Sequence, residues 1–244
     1  MDTEQRAWHY RGMLARTPEQ ALQLRRLRET AILFALFVVP GLTSSTPISQ
    51  VVGALAPLIA LTIRNIAFAL LVLYLLDIQG ERQAILAPET AVFPVGAAVR
   101  VWAILLGTAL AVSVVATAIG GGEVSVGTGS VVSSLRERYD TAIWLPVIVI
   151  AMVSVGFVEE LLFRGYFIAR LRQLGRSTSS AVIGSALLFS IGHGYQGPTA
   201  LVFSFLAGVG LGWLWIRRPH VGAFALGHAA YNLSALALSV WYSG

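Results

Sequence analysis

The stretch VVGALAPLIALTIRNIAFALLVLYLL, residues 51–76, decides the fold class of this chain. It holds one charged side chain, Arg64, and exceeds the ~20 residues that an α-helix needs to cross ~30 Å of hydrocarbon. Comparable apolar blocks recur at 101–119, 142–158, 201–216 and 221–240, with two shorter blocks at 31–42 and 181–191. We therefore expect an all-α, polytopic transmembrane bundle of about seven to eight helices.

The amino-acid composition limits the classes of function that the chain can have. Of the 244 residues, 56% are hydrophobic and 12% charged, as expected for a protein whose partner is the lipid bilayer. No cysteine is present, so neither a disulfide framework nor a thiol nucleophile is available. All basic residues are arginines that cluster beside apolar blocks, and we expect no nucleic-acid partner.

The arginines also predict the topology. With seven spans and the N-terminus inside, the outside loops hold only Arg136 and Arg138, which the positive-inside rule favours. The first apolar block lacks a small-residue cleavage site and should remain as an anchor. The expected location is the plasma or inner membrane, with the N-terminus in the cytoplasm.

The chain divides into a basic segment, residues 1–29, and a transmembrane domain, residues 30–244, with no internal repeat. Thr17-Pro18-Glu19-Gln20 has the pattern of a helix N-terminus with a capping box. It should open a basic helix that lies along the inner membrane surface. The glycine-rich loop 120–134 is interpreted as a connection.

The segment FVEELLFRGYF, residues 157–167, places charge within an apolar run. A carboxylate inside a span costs several kcal/mol unless it is paired or hydrated, so its default interpretation is functional. Glu160 and Arg164 are four residues apart with the acid first, which favours a helical ion pair. Glu159 points about 100° away around the helix and must find its partner on another span.

Candidate partners are histidines, because no acidic residue follows Glu160. His193 ends one apolar block, and His228 shares a helical face with Asn232 in the last block. A turn near 175–177 would place Glu159 and His193 each about 25 Å from it, as neighbours in an antiparallel hairpin. His228 reaches a similar depth if that hairpin protrudes from the membrane by roughly 10 Å.

Other polar and small residues allow simpler interpretations. His220 lies in a turn and is interpreted as solvated, and three glycines should allow close helix packing, namely Gly208, Gly210 and Gly212. The stretch 192–198 should break a helix beside the site and border a water-filled pocket. Arg64 either neutralises one of the glutamates or marks an earlier helix end.

Three motifs follow one another on the late spans: Glu159-Glu160-x-x-x-Arg164, Phe189-x-x-x-His193 and His228-x-x-x-Asn232. They resemble the motifs of the CPBP family of intramembrane proteases, which includes type II CAAX prenyl endopeptidases and bacteriocin-processing relatives. The resemblance covers the catalytic core at about 140–242. It implies that Glu159 and His193 activate a water, that His228 and Asn232 stabilise the oxyanion, and that Glu160 and Arg164 support the site.

The residues suit such a reaction, since a buried glutamate can act as general base and an amide and an imidazole can donate to an oxyanion. The expected enzyme is an intramembrane endopeptidase that needs no cofactor. Its substrate would be a membrane-associated peptide or protein, prenylated or not.

The sequence offers three alternative interpretations. Glu159, His193 and His228 could instead bind zinc, although the H-E-x-x-H pattern is absent. A transporter is disfavoured because the chain lacks related halves. A catalytically silent scaffold or immunity protein remains a further alternative.

Overall fold

The computed structural model describes residues 17–43, 55–86, 93–119 and 141–242. Within these ranges the regular structure is helical and no strand is present. The helices are α1 (Pro18–Thr43), α2 (Leu55–Ile78), α3 (Arg82–Leu86), α4 (Val95–Ala118), α5 (described next), α6 (Thr178–Gly192), α7 (Pro198–Arg217) and α8 (Val221–Tyr242). The predicted all-α bundle is confirmed.

Helix α5 is continuous but has three parts. An α-helical part, Thr141–Glu159, leads into a π-helical part, Glu160–Phe167, and a final α-helical part, Ile168–Gln173. The helix then turns at Gly175, whose φ of 81° lies in the left-handed region. The turn predicted between α5 and α6 is therefore present.

Five helices in the described ranges are long and apolar enough to cross a membrane: Leu55–Ile78, Val95–Ala118, Trp144–Gln173, Pro198–Arg217 and Val221–Leu238. The protein is thus an integral membrane protein. Seven spans were expected; the other two apolar blocks lie in α6, which has 15 residues, and in the C-terminal half of α1.

Helix α1 differs from the prediction, because the basic segment and the first apolar block form one helix of 26 residues. No glycine or proline separates Arg28 from Ala31, so nothing in the backbone ends the helix there. The capping box at its start is confirmed. Gln20 N donates to Thr17 Oγ1 at 3.2 Å, and Thr17 N donates to Gln20 Oε1 at 3.0 Å.

The glycines of α7 pack as predicted. A Cβ at Gly208 would lie 3.0 Å from Ala186 Cβ, and one at Gly212 would lie 2.8 Å from Val182 Cγ1. A Cβ at Gly210 would likewise meet Ile104 at 3.0 Å. These contacts bring α7 close to α6 and α4, as small residues do in membrane bundles.

His220 corrects one interpretation, because it is not simply a solvated turn residue. Its Nδ1 accepts a hydrogen bond from Ala223 N at 3.1 Å, and its ring packs edge-on against Phe93. It therefore caps the start of α8. The loop 120–134 lies outside the described residues, as do Arg136 and Arg138, on which the predicted topology depends.

A buried polar network, the Arg170 cluster, joins α1, the turn after α2 and the end of α5. It comprises Arg26, Glu29, Gln79, Glu81, Tyr166, Arg170 and Gln173. Arg170 is fully buried and forms ion pairs with Glu29 at 3.0 Å and with Glu81. The network ties the N-terminal helix to the core of the bundle.

Candidate active site

The π-helical part of α5 carries the charged residues that the sequence singled out. All eight of its residues are buried, including Glu160 and Arg164. A π-helix replaces i→i+4 with i→i+5 hydrogen bonds and occurs frequently at functional sites. Here it follows directly after Glu159, so the two glutamates lie at the junction between two helical periods.

Glycine allows the last helix to approach this junction. A Cβ at Gly156 would lie 2.6 Å from Ala225 O and 3.3 Å from His228 Cβ. A Cβ at Gly227 would lie 2.3 Å from Ala98 O on α4. Since only hydrogen fits at either position, α8 packs backbone against backbone on both neighbours, and this packing brings His228 to the glutamates.

His228 lies between the two carboxylates. Its Nδ1 is hydrogen-bonded to Glu160 Oε1 at 2.7 Å, and its Nε2 lies 3.6 Å from Glu159 Oε2. Because a carboxylate can only accept, the bond to Glu160 makes Nδ1 the donor and leaves Nε2 directed at Glu159. We call Glu159, Glu160, Arg164 and His228 the carboxylate–histidine cluster.

The predicted ion pair of Glu160 with Arg164 is present, with Glu160 Oε2 3.1 Å from Arg164 Nε. The two groups attract by charge, but they are not aligned as a hydrogen bond. The Arg164 guanidinium also lies over the Phe189 ring, 4.3 Å from its centroid. This cation–π contact replaces part of the solvation that a buried guanidinium loses.

Phe189 connects the cluster to His193. The ring centroids of Phe189 and His193 are 4.5 Å apart, and those of Phe189 and His228 are 6.4 Å apart. His193 donates from Nδ1 to Phe189 O at 2.9 Å, which leaves its Nε2 without a protein partner among the described residues. His193 and His228 are therefore both close to one aromatic ring. No direct hydrogen bond or ion pair joins Glu159 to His193 in the described structure.

The antiparallel hairpin of α5 and α6 explains this placement. Ser185 Oγ donates to Phe163 O at 2.5 Å, and the rings of Phe163 and Phe189 are 5.0 Å apart. Phe189, rather than His193, is thus level with the π-helical part. His193 lies one turn further along, where α6 ends at Gly192 and a short 3-10 turn, Gly194–Gln196, begins. The predicted helix break is confirmed.

Asn232 lies one turn beyond His228 on α8 and is partly buried. Its carboxamide has no hydrogen-bond partner among the described side chains and backbone groups. It therefore retains its capacity to donate to a ligand.

A metal ion was the alternative use of these residues. Both histidines bind a protein oxygen through Nδ1, as histidine ligands of zinc commonly do, but His228 Nε2 faces Glu159 at 3.6 Å. In the described part of the chain, however, no three histidine or carboxylate side chains converge as a ligand set. As placed, the described side chains do not fit a zinc ion.

Arg64 was predicted either to neutralise one of the glutamates or to mark an earlier helix end, and neither is observed. Helix α2 runs through it to Ile78, and no ion pair of the described residues includes it. Its neighbour Asn65 is buried and donates from Nδ2 to Ser154 Oγ at 3.3 Å.

Two features of the site were not predicted. One is the hydrogen bond of Glu160 to His228, since the sequence paired Glu160 only with Arg164. The other is Phe189 as the shared contact of both histidines, although it stands in one of the motifs. In the sequence, this role of Phe189 was indicated only by its spacing of four residues from His193.

Comparison with known families agrees with the motifs. Residues 141–234 match the family described as Rce1-like, type II CAAX prenyl endopeptidase Rce1-like. This segment contains all four members of the carboxylate–histidine cluster, together with His193 and Asn232. The match, which covers less than half of the chain, confirms the resemblance to the CPBP family of intramembrane proteases. No curated protein and no solved structure shows significant similarity to the chain.

Proposed function

We propose that this Rce1-like protein is an intramembrane endopeptidase in which Glu159 is the general base. One observation carries the proposal. Glu159 Oε2 is buried, has no protein hydrogen-bond partner, and faces His228 Nε2 across 3.6 Å. A carboxylate left unsatisfied at such a position can accept a proton from a water molecule.

In the proposed reaction, Glu159 removes a proton from water while the water oxygen attacks the scissile carbonyl carbon. His193 holds the water through its free Nε2. The tetrahedral oxyanion is stabilised by donation from the Asn232 carboxamide and from Nε2 of His228 in its doubly protonated form, since Nδ1 donates to Glu160. The proton on Glu159 then passes to the leaving nitrogen as the C–N bond breaks.

Glu160 and Arg164 act on His228 rather than on the substrate. The hydrogen bond at 2.7 Å from His228 Nδ1 orients the imidazole so that Nε2 points into the site. Arg164 in turn holds the other oxygen of Glu160 at 3.1 Å. We propose that the pair sets the orientation and charge of the imidazole.

We further propose that the N-terminus and the α5–α6 turn lie on the cytoplasmic side. Arg26, Glu81 and Arg170 come from three segments that the arginine distribution assigns to one side, and they meet in the Arg170 cluster. The substrate would then be a membrane-associated peptide or protein reached from the cytoplasm.

The test uses the detergent-solubilised protein with otherwise identical prenylated and unprenylated C-terminal peptides. Glu159→Gln should reduce cleavage by about 10²- to 10⁴-fold, because general-base catalysis contributes this much. Glu19→Gln, which alters an exposed carboxylate on α1, is the matched control and should cleave normally. Cleavage that persists in Glu159→Gln would refute the mechanism.

The same preparation distinguishes the alternatives. Chelation should leave the rate unchanged, and metal analysis should find no stoichiometric zinc. Stoichiometric zinc together with loss of activity on chelation would replace the glutamate mechanism. Binding of a peptide without any cleavage would favour the silent scaffold.

A further inference from the structure

Trp102 is a hydrogen-bond donor inside a span that the proposed mechanism does not use. It lies on α4, Val95–Ala118, about 10.5 Å along the axis from the start of the helix. An indole N–H at such a depth is costly to bury unless it has a partner. Trp102 Nε1 donates to Ser234 Oγ on α8 at 3.2 Å. The bond therefore joins two spans that are far apart in the chain.

Ser234 connects this bond to the backbone of α8. Its hydroxyl donates to Ala230 O at 2.8 Å, so the oxygen that accepts from Trp102 is itself held in place. Linked hydrogen bonds of this kind strengthen each other where the surroundings are apolar. The bond from Ser234 to Ala230 spans one helical turn, and Asn232 lies in the middle of that turn. Trp102 thus holds the part of α8 that carries the carboxamide.

The same side of α8 packs on α4 at a second point. Gly227 and Ser234 are seven residues apart, which places them on one face of the helix. A Cβ at Gly227 would lie 2.3 Å from Ala98 O and 2.7 Å from Val101 Cβ. Asn232 is about 160° away from Ser234 around the helix. Helix α4 therefore supports α8 on the side opposite Asn232.

Two further side chains fix the rotation of α8 on its other sides. His228 is hydrogen-bonded to Glu160 on α5 at 2.7 Å. The ring of Tyr231 stacks on Phe203 of α7, with the centroids 5.7 Å apart. Contacts with three helices thus surround Asn232, whose own carboxamide has no hydrogen-bond partner among the described residues. Its position depends on these neighbouring contacts.

We propose that Trp102 is a positioning residue for the reaction: its bond to Ser234 sets the rotation of α8 and so aims the Asn232 carboxamide at the oxyanion. The inference rests on the proposed peptidase function. Donors to an oxyanion are effective because they are placed before the reaction, and a misplacement of about 1 Å can cost about 10²-fold in rate. Helix α4 lies outside the matched segment 141–234, so this support comes from a part of the chain that the family match does not cover.

The experiment measures kcat and KM per folded molecule with whichever of the two C-terminal peptides the wild-type protein cleaves faster. Trp102→Phe, which keeps an aromatic ring but loses the N–H, should lower kcat roughly 10-fold and leave KM unchanged. Ser234→Ala should have the same effect, whereas Ser234→Thr retains the hydroxyl and should keep the wild-type kcat. Trp213→Phe on α7 is the matched control and should also keep it, because the Trp213 indole has no hydrogen bond to the described residues.

A double variant separates positioning from simple stabilisation. When Asn232 is already replaced by alanine, Trp102→Phe should cause no further fall in kcat, because the group that it positions is absent. A bond that only stabilised the bundle would lower kcat by the same factor with and without the carboxamide.

The outcomes distinguish this inference from the function on which it rests. A normal kcat in Trp102→Phe, or an equal loss in both backgrounds, would overturn the role of Trp102 and leave the Glu159-dependent cleavage intact. A rise in KM alone would do the same. Ser234→Ala and Ser234→Thr provide the same comparison without any change in the packing of the indole. Failure of the wild-type protein to cleave either peptide would overturn both proposals.

Discussion

Two buried arginines on helix α5 have opposite surroundings. Arg164 meets one carboxylate, that of Glu160, without hydrogen-bond alignment, and otherwise lies over the ring of Phe189. Six residues further along, the two terminal nitrogens of Arg170 donate to four side-chain oxygens. Those oxygens belong to Glu29, Gln79, Glu81 and Gln173.

We interpret the difference as that between a structural charge and a functional one. In the Arg170 cluster both terminal guanidinium nitrogens are satisfied and only Arg170 Nε lacks a hydrogen-bond partner, so the network mainly stabilises the position of α1. The carboxylate–histidine cluster keeps unused capacity on Glu159 Oε2 and on the Arg164 nitrogens. Buried groups left in this state are unusual in native proteins and call for a functional explanation.

Removing each arginine should have contrasting effects. Arg170→Met leaves Glu29 and Glu81 without their main cation and should lower the free energy of unfolding by about 3 to 5 kcal/mol. The remaining folded protein should cleave at the normal rate. Arg164→Met should instead reduce cleavage per folded molecule at least about 10-fold, because Glu160 then orients His228 less well.

Thermal unfolding in detergent and active-site titration measure the two effects separately. Equal losses of stability and equal losses of activity in both variants would remove the distinction between the two clusters. Arg82→Gln, which removes an exposed cation paired with Asp77 at 3.0 Å, controls for the loss of positive charge alone.

Asn232→Ala should separate turnover from binding within the site. Losing one oxyanion donor typically costs about 10² to 10³ in kcat, while KM should change little because the substrate carbonyl is bound weakly in the ground state. Stability should be nearly unaffected, since the carboxamide has no partner among the described residues. A large rise in KM with unchanged kcat would assign Asn232 to substrate binding.

Acid should affect the Arg170 cluster through Glu81. Burial raises the pKa of Glu81, but hydrogen bonds and charges from Arg170 and Arg26 outweigh it, so the folded pKa is below the usual value. The unfolded chain then binds more protons between the two pKa values. This contribution to stability is present above the unfolded pKa and is lost as the pH falls through the folded one.

The melting temperature should therefore decline from about pH 5 downward, somewhat less steeply in Glu81→Gln than in wild type. This effect should be smaller than those predicted for the arginine variants and for Asn232→Ala, because Glu81 is partly exposed. Glu19→Gln serves as the control and should retain the wild-type slope. Identical slopes in all three proteins would show that Glu81 does not contribute.

Local features of the fold were predictable from the sequence. The capping box at Thr17, the turn at Gly175 and the glycine packing of α7 depend on residues within one or two helical turns. The ion pair of Glu160 and Arg164 has the same origin, since spacing alone brings the two side chains together.

Features that depend on distant residues or on the backbone were not predictable. The bond between His228 and Glu160 joins residues 68 apart, and either glutamate satisfied the sequence pattern equally well. The change to π-helical hydrogen bonding cannot be recognised from the pattern of apolar residues in the sequence. The attachment of α1 through Glu29 was also missed, because exposed-looking charges in a basic segment suggested a surface helix.

The π-helical part of α5 has a consequence for sequence change. Each i→i+5 turn takes up more residues than an α-helical turn, so the residues before Glu160 and after Phe167 are out of phase relative to one regular helix. Deleting a single residue here would restore a uniform period and rotate Glu159 away from His228 by about 100°. We therefore expect this stretch to tolerate substitution far better than any change in its length.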